Sequence, residues 1–562
     1  INVKENNEKI NDDKLEQLIN EIGYIKNKMI QVIDNKEFST HNISQIFNEY
    51  EAYKRNNKLI DFDDMLTLAY AILSKHPDIL DFYRKRYKYV QVDEGQDLSK
   101  IQFLLVKMLV QPLCNLFLVA DDDQSIYGFR GAEPDYILSF REQYKGALIY
   151  YLEKNYRSTK NIVEISSRLI KNNFKRYDKN HITDNKSFIN PYIWILKSEK
   201  EQLLCLVENI KKHISENKDR TIAVLFRNNL SSVIIIDVLE KNNIKFSIRE
   251  GKVTFLNHWF VQDILSFLKF AIDPWDVEAF KRIYYKMNRY ISKNIVEYAE
   301  ASGDGENFLK RMLSCPDLMP YQRMNIIELN TEFKKISKMT AYDALIYIEE
   351  EFKYMEKARE ICDRSGYSFS TVKTLMTYLK LIAEGKQTIQ AFCERLVFLE
   401  EILNGGIAKG SGNVTLSTIH SSKGLEYDCV FIVDMVDGEF PSSKSIEEAE
   451  KNGDVRLLEE ERRLFYVAIT RAKTYLHIFS IQLQNGLPAV KSKFIDEMEK
   501  CISFIEFSKF KEGAEINHKT YGKGIIIKIL NDGKYGGMAA RIDFNGVTRI
   551  IDLKVCAEKG II

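Results

Sequence analysis

What the sequence lacks narrows the field first. No apolar run approaches the roughly 20 residues that a membrane span requires, and no signal-peptide pattern opens the chain, so the expectation is a soluble, cytoplasmic protein with no membrane partner. The eight cysteines (Cys114, Cys205, Cys315, Cys362, Cys393, Cys429, Cys501 and Cys556) are scattered and form no C-x-x-C pair. That argues against a zinc site, an iron–sulfur cluster or a disulfide scaffold, and they read as small apolar residues in a reducing compartment. An excess of charge is also lacking: 81 Lys and Arg stand against 80 Asp and Glu, a net of +1. Composition alone therefore gives no sign of nucleic-acid binding, and a DNA-binding surface has to be a local groove. Nothing matches G-x-x-x-x-G-K-S/T, the loop that cradles nucleotide phosphates. Gly385-Lys386-Gln387-Thr388 lacks the first glycine, the correct last position and a preceding strand.

What is present is ordinary in bulk. The 562 residues suffice for several domains, and 45% apolar with 29% charged residues fits a globular protein. Abundant Lys, Ile and Asn suggest an AT-rich coding sequence and a bacterial source. Residues 1–58 are polar with helical apolar spacing, as in Leu15, Leu18, Ile22 and Ile25. Asp61-Phe62-Asp63-Asp64 caps a helix through Leu73, since carboxylates suit a helix N-terminus. Strand candidates follow at Tyr89–Val92, Leu116–Ala120, Leu148–Leu152, Thr221–Phe226, Val414–Thr418, Val430–Val433 and Tyr475–Phe479, each leading to a polar turn and a helical pattern. That alternation predicts an α/β fold with parallel sheets. Between about Asp273 and Lys409 the order breaks into a helix-rich insertion, with Gly405-Gly406 and Gly410-Ser411-Gly412 as a flexible exit. From Phe510 to Lys554, recurrent glycines separate short β-prone runs such as Ile525–Ile529 and Arg549–Leu553, with a local excess of Lys and Arg. A small antiparallel barrel fits that spacing.

Two segments carry the chemistry. Val92-Asp93-Glu94-Gly95-Gln96-Asp97 places carboxylates at the end of a strand, where a parallel sheet opens onto its ligand crevice. An Asp there can hold Mg²⁺ through water, and the adjacent Glu can orient or deprotonate an attacking water. The competing reading is a solvated acidic turn. Leu118-Val119-Ala120-Asp121-Asp122-Asp123-Gln124 ends a second strand, and Tyr127, Phe129 and Arg130 follow on a loop. Aromatics beside an Arg form a stacking platform for bases, worth about 1–3 kcal/mol per base, although each ring taken singly reads more readily as core.

These segments resemble motifs II and III of superfamily 1 helicases of the UvrD/Rep/PcrA type, and the remaining motifs follow in the family's order. Leu152-Glu153-Lys154-Asn155-Tyr156-Arg157-Ser158 resembles motif IV, and Ala223–Asn229 the strand after it. Thr415–Glu426, containing His420-Ser421-Ser422-Lys423-Gly424-Leu425-Glu426, resembles motif V, and Glu459–Ala472 motif VI. The resemblance implies ATP and Mg²⁺ as cofactors, with Asp93 on the metal and Glu94 activating water. It implies that Gln124 senses the γ-phosphate, and that Arg157 and Arg471 act as arginine fingers from the second lobe. Tyr156 would stack on adenine, Gly424 and Glu426 would meet the nucleotide, and Tyr127, Phe129 and His420 would line a single-strand path near Arg227 and Asn228. Taken as bare residues, Glu459–Arg463 reads instead as a solvated helix face with i,i+4 pairs. His41, His76, His181, His213 and His477 show no metal-ligand spacing and read as surface or core residues.

In domain terms the resemblance implies two RecA-like lobes with helical insertions. Residues 1–58 end the first insertion, and 59–151 form the second half of the first lobe. Residues 152–273 and 410–505 make the second lobe around an insertion at 274–409, and 510–562 form a Tudor/SH3-like barrel that docks a partner protein. In this family the phosphate-binding loop lies ahead of the segment where this chain begins, so the resemblance implies that the family's front portion is missing. Two positions depart from the family: Gly95 stands where a bulkier residue is usual, and Phe129 where Trp is usual. The expected activity is 3′-to-5′ movement on single-stranded and forked DNA coupled to ATP hydrolysis, in a bacterial, nucleoid-associated protein serving DNA repair or a related pathway. The alternative is a truncated, non-hydrolysing DNA-binding or partner-docking protein.

Overall fold

Strand β4 (Ile222–Phe226) shows how the centre of the molecule is built. It is buried along its whole length. Ile222, Val224 and Phe226 enter one apolar core, while Ala223 and Leu225 enter another. Side chains alternate across a strand, so an unbroken apolar run has to be covered on both faces. The structure, a computed structural model, describes residues 12–40, 42–249, 255–303, 305–404, 412–507, 510–530, 539–553 and 556. The expected glycine exit at 405–411, His41 and the glycines at 533, 536 and 537 lie outside them.

Around β4 stands a six-stranded, all-parallel sheet. Its members are β3 (Tyr192–Leu196), β4, β5 (Phe246–Arg249), β6 (Val414–Thr418), β7 (Tyr427–Ile432) and β8 (Ala472–Ile481). Their order is β3-β8-β7-β4-β6-β5, with Ile222 opposite Val414 on one side and Cys429 on the other. Three strands precede the helical insertion and three follow it, so the sheet closes only when the chain returns. The α/β expectation therefore holds, with both outer strands, β3 and β5, added to it.

One face of the sheet is covered by the helices Lys160–Ile170, Arg456–Ile469 and Lys493–Phe507. The other shares a continuous core with a run of helices from Trp259–Ile272 to Ile389–Leu403, among which the described residues hold no strand. The helix Trp259–Ile272 packs its rings into this helical unit: Phe270 lies 4.8 Å from both Phe280 and Phe333, and Phe267 lies 5.2 Å from Tyr354. Full burial of such side chains stabilises by about 1.5–3 kcal/mol each.

Ahead of this body, β1 (Val90–Val92) and β2 (Leu116–Leu118) pair in parallel. The helix Phe62–Lys75 begins as expected at Asp61, whose carboxylate accepts from the Asp64 N–H while the Asp64 carboxylate accepts from the Asp61 N–H. Helix Asp12–Asn27 is tied to it by Lys26, which reaches both Asp61 and Asp64 at 2.7 Å. The strand expected at Leu148–Leu152 does not form: Tyr150 and Leu152 are 79% and 92% exposed, and among the described residues no strand pairs with them. β-prone residues without a partner ladder remain a connector.

After the short hairpin of β9 (Leu483–Gln484) and β10 (Leu487–Pro488), the tail forms an antiparallel four-stranded sheet. Its strands β11 (Glu515–His518), β12 (Gly522–Leu530), β13 (Ala539–Phe544) and β14 (Val547–Asp552) lie in sequence order. No helix among the described residues is long and apolar enough to cross a membrane.

Candidate nucleotide and nucleic-acid site

The first carboxylates sit where β1 stops. Asp93 and Glu94 are exposed at its end, and Glu94 adopts a left-handed backbone (φ 50°) that turns the chain into a short 3-10 turn. Such a conformation is uncommon for a residue with a Cβ and is found where geometry is over-determined by its surroundings. The Glu94 carboxylate accepts from Gln96 Nε2 at 2.5 Å, and Lys423 Nζ stands 3.6 Å from it. Gly95 is explained by its neighbour: a Cβ there would lie 2.8 Å from Leu118 Cδ2, so the side chain of β2 occupies the space that a bulkier residue 95 needs.

At the end of β2, the turn Asp122–Gln124 meets the helix Arg456–Ile469 and Arg471 just after it. Gln124 Nε2 donates to Asp121 Oδ2 at 2.6 Å, which leaves Gln124 Oε1 to accept from Arg471 Nη2 at 3.3 Å. Arg471 is 1% exposed and also donates to the carbonyls of Val467 and Leu425. Burial, and after it the Arg157 guanidinium, push Arg471 down to about 10, so it keeps its charge at neutral pH. Arg157 donates to Glu426 at 2.9 Å and to the Thr470 carbonyl. Lys473 and then Arg157 hold Glu426 down at about 2. Gly424, at φ 80°, makes the turn before it with open space on its Cβ side. Tyr156 is 78% exposed, with Lys154 over its ring.

One loop further on, Tyr127, Phe129 and His420 cluster. Their ring centroids lie 5.5–6.2 Å apart, and Arg130 sits over both aromatic rings. Phe129 remains 45% exposed, so a face is open for stacking. His420 is pushed down to about 3 by burial and by Arg227 and Arg130, which makes it neutral at physiological pH. Arg227 and Asn228 are less available than expected. Arg227 pairs with Glu461 at 2.9 Å, and Asn228 donates to Glu439.

The run Glu459–Arg463 is not a solvated face. Glu459, Glu461, Arg462 and Arg463 are each less than 8% exposed, because the helix Arg456–Ile469 lies between the sheet and the aromatic loop. Each charge finds a partner from another element. Glu459 accepts from Phe174 N, Glu460 from Gly128 N, and Arg462 forks onto Glu497. A Cβ on residue 128 would lie 2.6 Å from the Glu460 carboxylate, which accounts for Gly128.

Lys423, Gln96 and Lys179 of this site carry no role in the sequence reading. Lys423 donates to Asp97 at 2.5 Å and to the Gln124 carbonyl at 2.9 Å. Gln96 links Glu94 to the Asp121 N–H, and Lys179 holds Asp121. Gln96 and Lys423 lie within the motif segments Val92–Asp97 and Thr415–Glu426, whereas the signal for Lys179 was composition: the basic stretch Lys175–His181 has opposite charge to Asp121–Asp123.

His213, Cys429 and His477 gather in the core closely enough to raise the question of a metal. The donors do not fit one. Metal-bound imidazoles turn their second nitrogen, as N–H, toward an acceptor. Here the Trp194 indole N–H points at His477 Nδ1 at 3.2 Å, and Arg220, also a donor, stands 2.6 Å from His213 Nδ1. The two imidazoles bond each other through Nε2 at 2.9 Å, and burial pushes them down to about 4 and about 3. They are neutral core residues. Glu51, Asp61 and Asp64 also converge, around Lys26 and Lys54.

The sequence comparisons agree with this layout. Residues 2–145 match the UvrD/REP helicase N-terminal domain, and residues 150–482 match the UvrD-like helicase C-terminal domain. YjcD of Bacillus subtilis (strain 168), assigned by name to the ATP-dependent DNA helicases, is 31% identical over 486 residues, covering 86% of this chain and 63% of its own. ATP-dependent DNA helicase PcrA of Staphylococcus aureus (strain Mu50) is 30% identical over 524 residues, 88% of this chain and 70% of the relative. PcrA of Staphylococcus epidermidis (strain RP62A) is 28% identical over 548 residues, covering 88% and 73%. This chain thus spans about two thirds of the length of the relatives it matches, and it belongs to the UvrD-like helicase family of PcrA-type superfamily 1 helicases.

Proposed function

We propose that the chain forms most of an ATP-driven motor that moves 3′ to 5′ on single-stranded DNA and opens duplex or forked DNA ahead of it. One observation carries the reading: Gln124, between the two lobes, bonds Arg471 of the second lobe and lies three residues before the Tyr127–Phe129–His420 cluster. A change in the cleft is thereby transmitted to the stacking platform through a single short turn.

In this reading Glu94 orients the attacking water, and its bond from Gln96 fixes the carboxylate. Arg157 and Arg471 stabilise charge on the transferred phosphoryl group, a contribution of about 10³–10⁵ in rate for arginine fingers. Asp93, exposed at the end of β1, is an open carboxylate of the kind that holds Mg²⁺ through water, and that ion would neutralise phosphate charge. Glu426 gives up Arg157 or Lys473 as nucleotide enters. Phe129 and Tyr127 stack bases, with neutral His420 as the third wall. Residues 1–58 are assigned to the end of the first helical insertion, 59–151 to the first lobe, 152–273 with 410–505 to the second, and 274–409 to the second insertion. The tail sheet is assigned to a Tudor/SH3-like barrel that docks a partner protein.

The test is ATP hydrolysis with and without single-stranded DNA, on this chain and on the chain joined to a phosphate-binding segment of the family. The joined protein is expected to hydrolyse ATP in a DNA-stimulated manner, and Glu94→Gln to abolish turnover while single-strand binding persists. A joined protein that binds single strands but stays inert sinks the motor and supports a non-hydrolysing binding protein.

A further inference from the structure

The turn that carries Gln124 is held by charge from the opposite lobe. Lys179 Nζ lies 2.7 Å from Asp121, 2.6 Å from Asp122 and 3.1 Å from Asp123. Arg176 forks onto Asp123 at 2.9 and 2.8 Å, and the Tyr177 N–H donates to Asp122. Asp122 and Asp123 are 2% and 0% exposed. The basic segment is anchored in the second lobe, where Asn173 and Phe174 bond Glu459 and Arg463 donates to the Lys175 carbonyl. Burial alone would lower the Lys179 amine, and the three aspartates instead hold it well above the ordinary lysine range. It is a permanent cation.

Packing so many charges out of water is a poor way to add stability, because desolvation offsets most of the attraction. It is an effective way to fix a geometry. Asp121 shows what is fixed. One carboxylate oxygen takes Lys179, and the other takes the Gln124 amide N–H. A carboxylate only accepts, so the Gln124 carboxamide must present its NH₂ to Asp121 and its oxygen to Arg471. The Asp121 backbone N–H in turn bonds Gln96, which bonds Glu94. Lys179 therefore stands behind both the γ-phosphate sensor and the candidate base.

We propose that Lys179 is a positioning residue for hydrolysis: by clamping Asp121 from the second lobe it orients the Gln124 carboxamide, so that turnover requires the segment Asn173–His181 to be docked on the Asp121–Gln124 turn. This rests on the motor reading above. It makes the ion cluster the place where lobe arrangement is communicated to the reacting groups, in addition to the two arginines.

The test is steady-state ATP hydrolysis with single-stranded DNA in this chain joined to a phosphate-binding segment of the family. It compares wild type, Lys179→Met, Lys179→Arg, Asp121→Ala, Gln124→Ala and the Lys179→Met/Gln124→Ala double variant. Misplacing a reacting group by about 1 Å can cost about 10²-fold. The expected result is a kcat loss of about 10-fold or more in Lys179→Met, with KM for ATP within about 3-fold and rescue by Lys179→Arg. The double variant should be no slower than Gln124→Ala, because both changes act through one carboxamide. Should Lys179→Met fail to fold, Asp121→Ala gives the same comparison, since Lys179 there keeps two aspartates. Wild-type kcat in Lys179→Met or Asp121→Ala, or losses that multiply in the double variant, overturns the proposal while the motor stands. An inert wild type removes the motor itself, and this role with it.

Discussion

Gly95 and Leu118 show how one side chain sets the identity of another. A Cβ at position 95 would meet Leu118 of β2 at 2.8 Å. Gly95→Ala is therefore expected to destabilise by about 1–3 kcal/mol through overpacking. Leu118→Ala should recover part of that loss, a coupling that urea unfolding of the two single variants and the double variant will show. Glu439 offers a second test at this scale. Burial first, and then Asp434, push its carboxyl up to about 7, from a starting value of 4.5. A raised carboxyl binds its proton more tightly in the folded state, so its contribution is present below about pH 4.5 and is lost as pH rises through about 7. Removing it should flatten the fall in stability between those values, by at most about 3 kcal/mol. Urea midpoints of wild type and Glu439→Gln at pH 5 and pH 8 measure the difference, in which the opposite trend of the buried histidines cancels. At this scale the motif strings named Asp93, Glu94, Gln124 and Arg471 as candidates, and the structure bonds Gln124 to Arg471. Gln96 and Lys423 stand inside the same strings but received no role there, and Lys179, whose aspartate partners lie on another element, stands outside all of them. Glu459–Arg463 was misread for the same reason: a solvated charged helix and a buried one with matched partners have the same composition, and only Glu497, Phe174 and Gly128 distinguish them.

Among the elements, strands at the centre of the sheet were legible because an unbroken apolar run such as Ile222–Phe226 has few alternatives to a doubly covered strand. The outer strands were missed. Phe246–Arg249 is short and alternates apolar with polar residues, and among the described strands Tyr192–Leu196 pairs only with β8. Leu148–Leu152 erred in the other direction, since strand propensity is realised only where a neighbour offers a ladder. The helix Trp259–Ile272 belongs by its contacts with the insertion, and it also joins the core beneath β4 and β6. Phe267, fully buried there, is expected to cost about 3–5 kcal/mol on truncation to Ala. Because the core is continuous, tyrosine and tryptophan fluorescence and far-ultraviolet circular dichroism should lose the six-stranded sheet and the helices packed on it at one urea concentration. Two separate midpoints would show that the sheet and the insertion unfold independently.

At the scale of the molecule, the proposed nucleotide cleft and the proposed base-stacking cluster meet in one turn. From Glu94 through Gln96, Asp121 and Gln124 to Arg471, each link is a single hydrogen bond, and the next residues along the chain are the stacking aromatics. In the proposed motor that arrangement links nucleotide and single-strand binding thermodynamically, and linkage is reciprocal. The most direct measurement is a pair of affinities in this chain joined to a phosphate-binding segment of the family: single-stranded DNA with and without a non-hydrolysable ATP analogue, and the analogue with and without DNA. Wild type should show one coupling factor, equal in both directions, and Gln124→Ala should bring it to one while each ligand still binds. If the two ligands bind wild type independently, the turn does not couple them and the account fails.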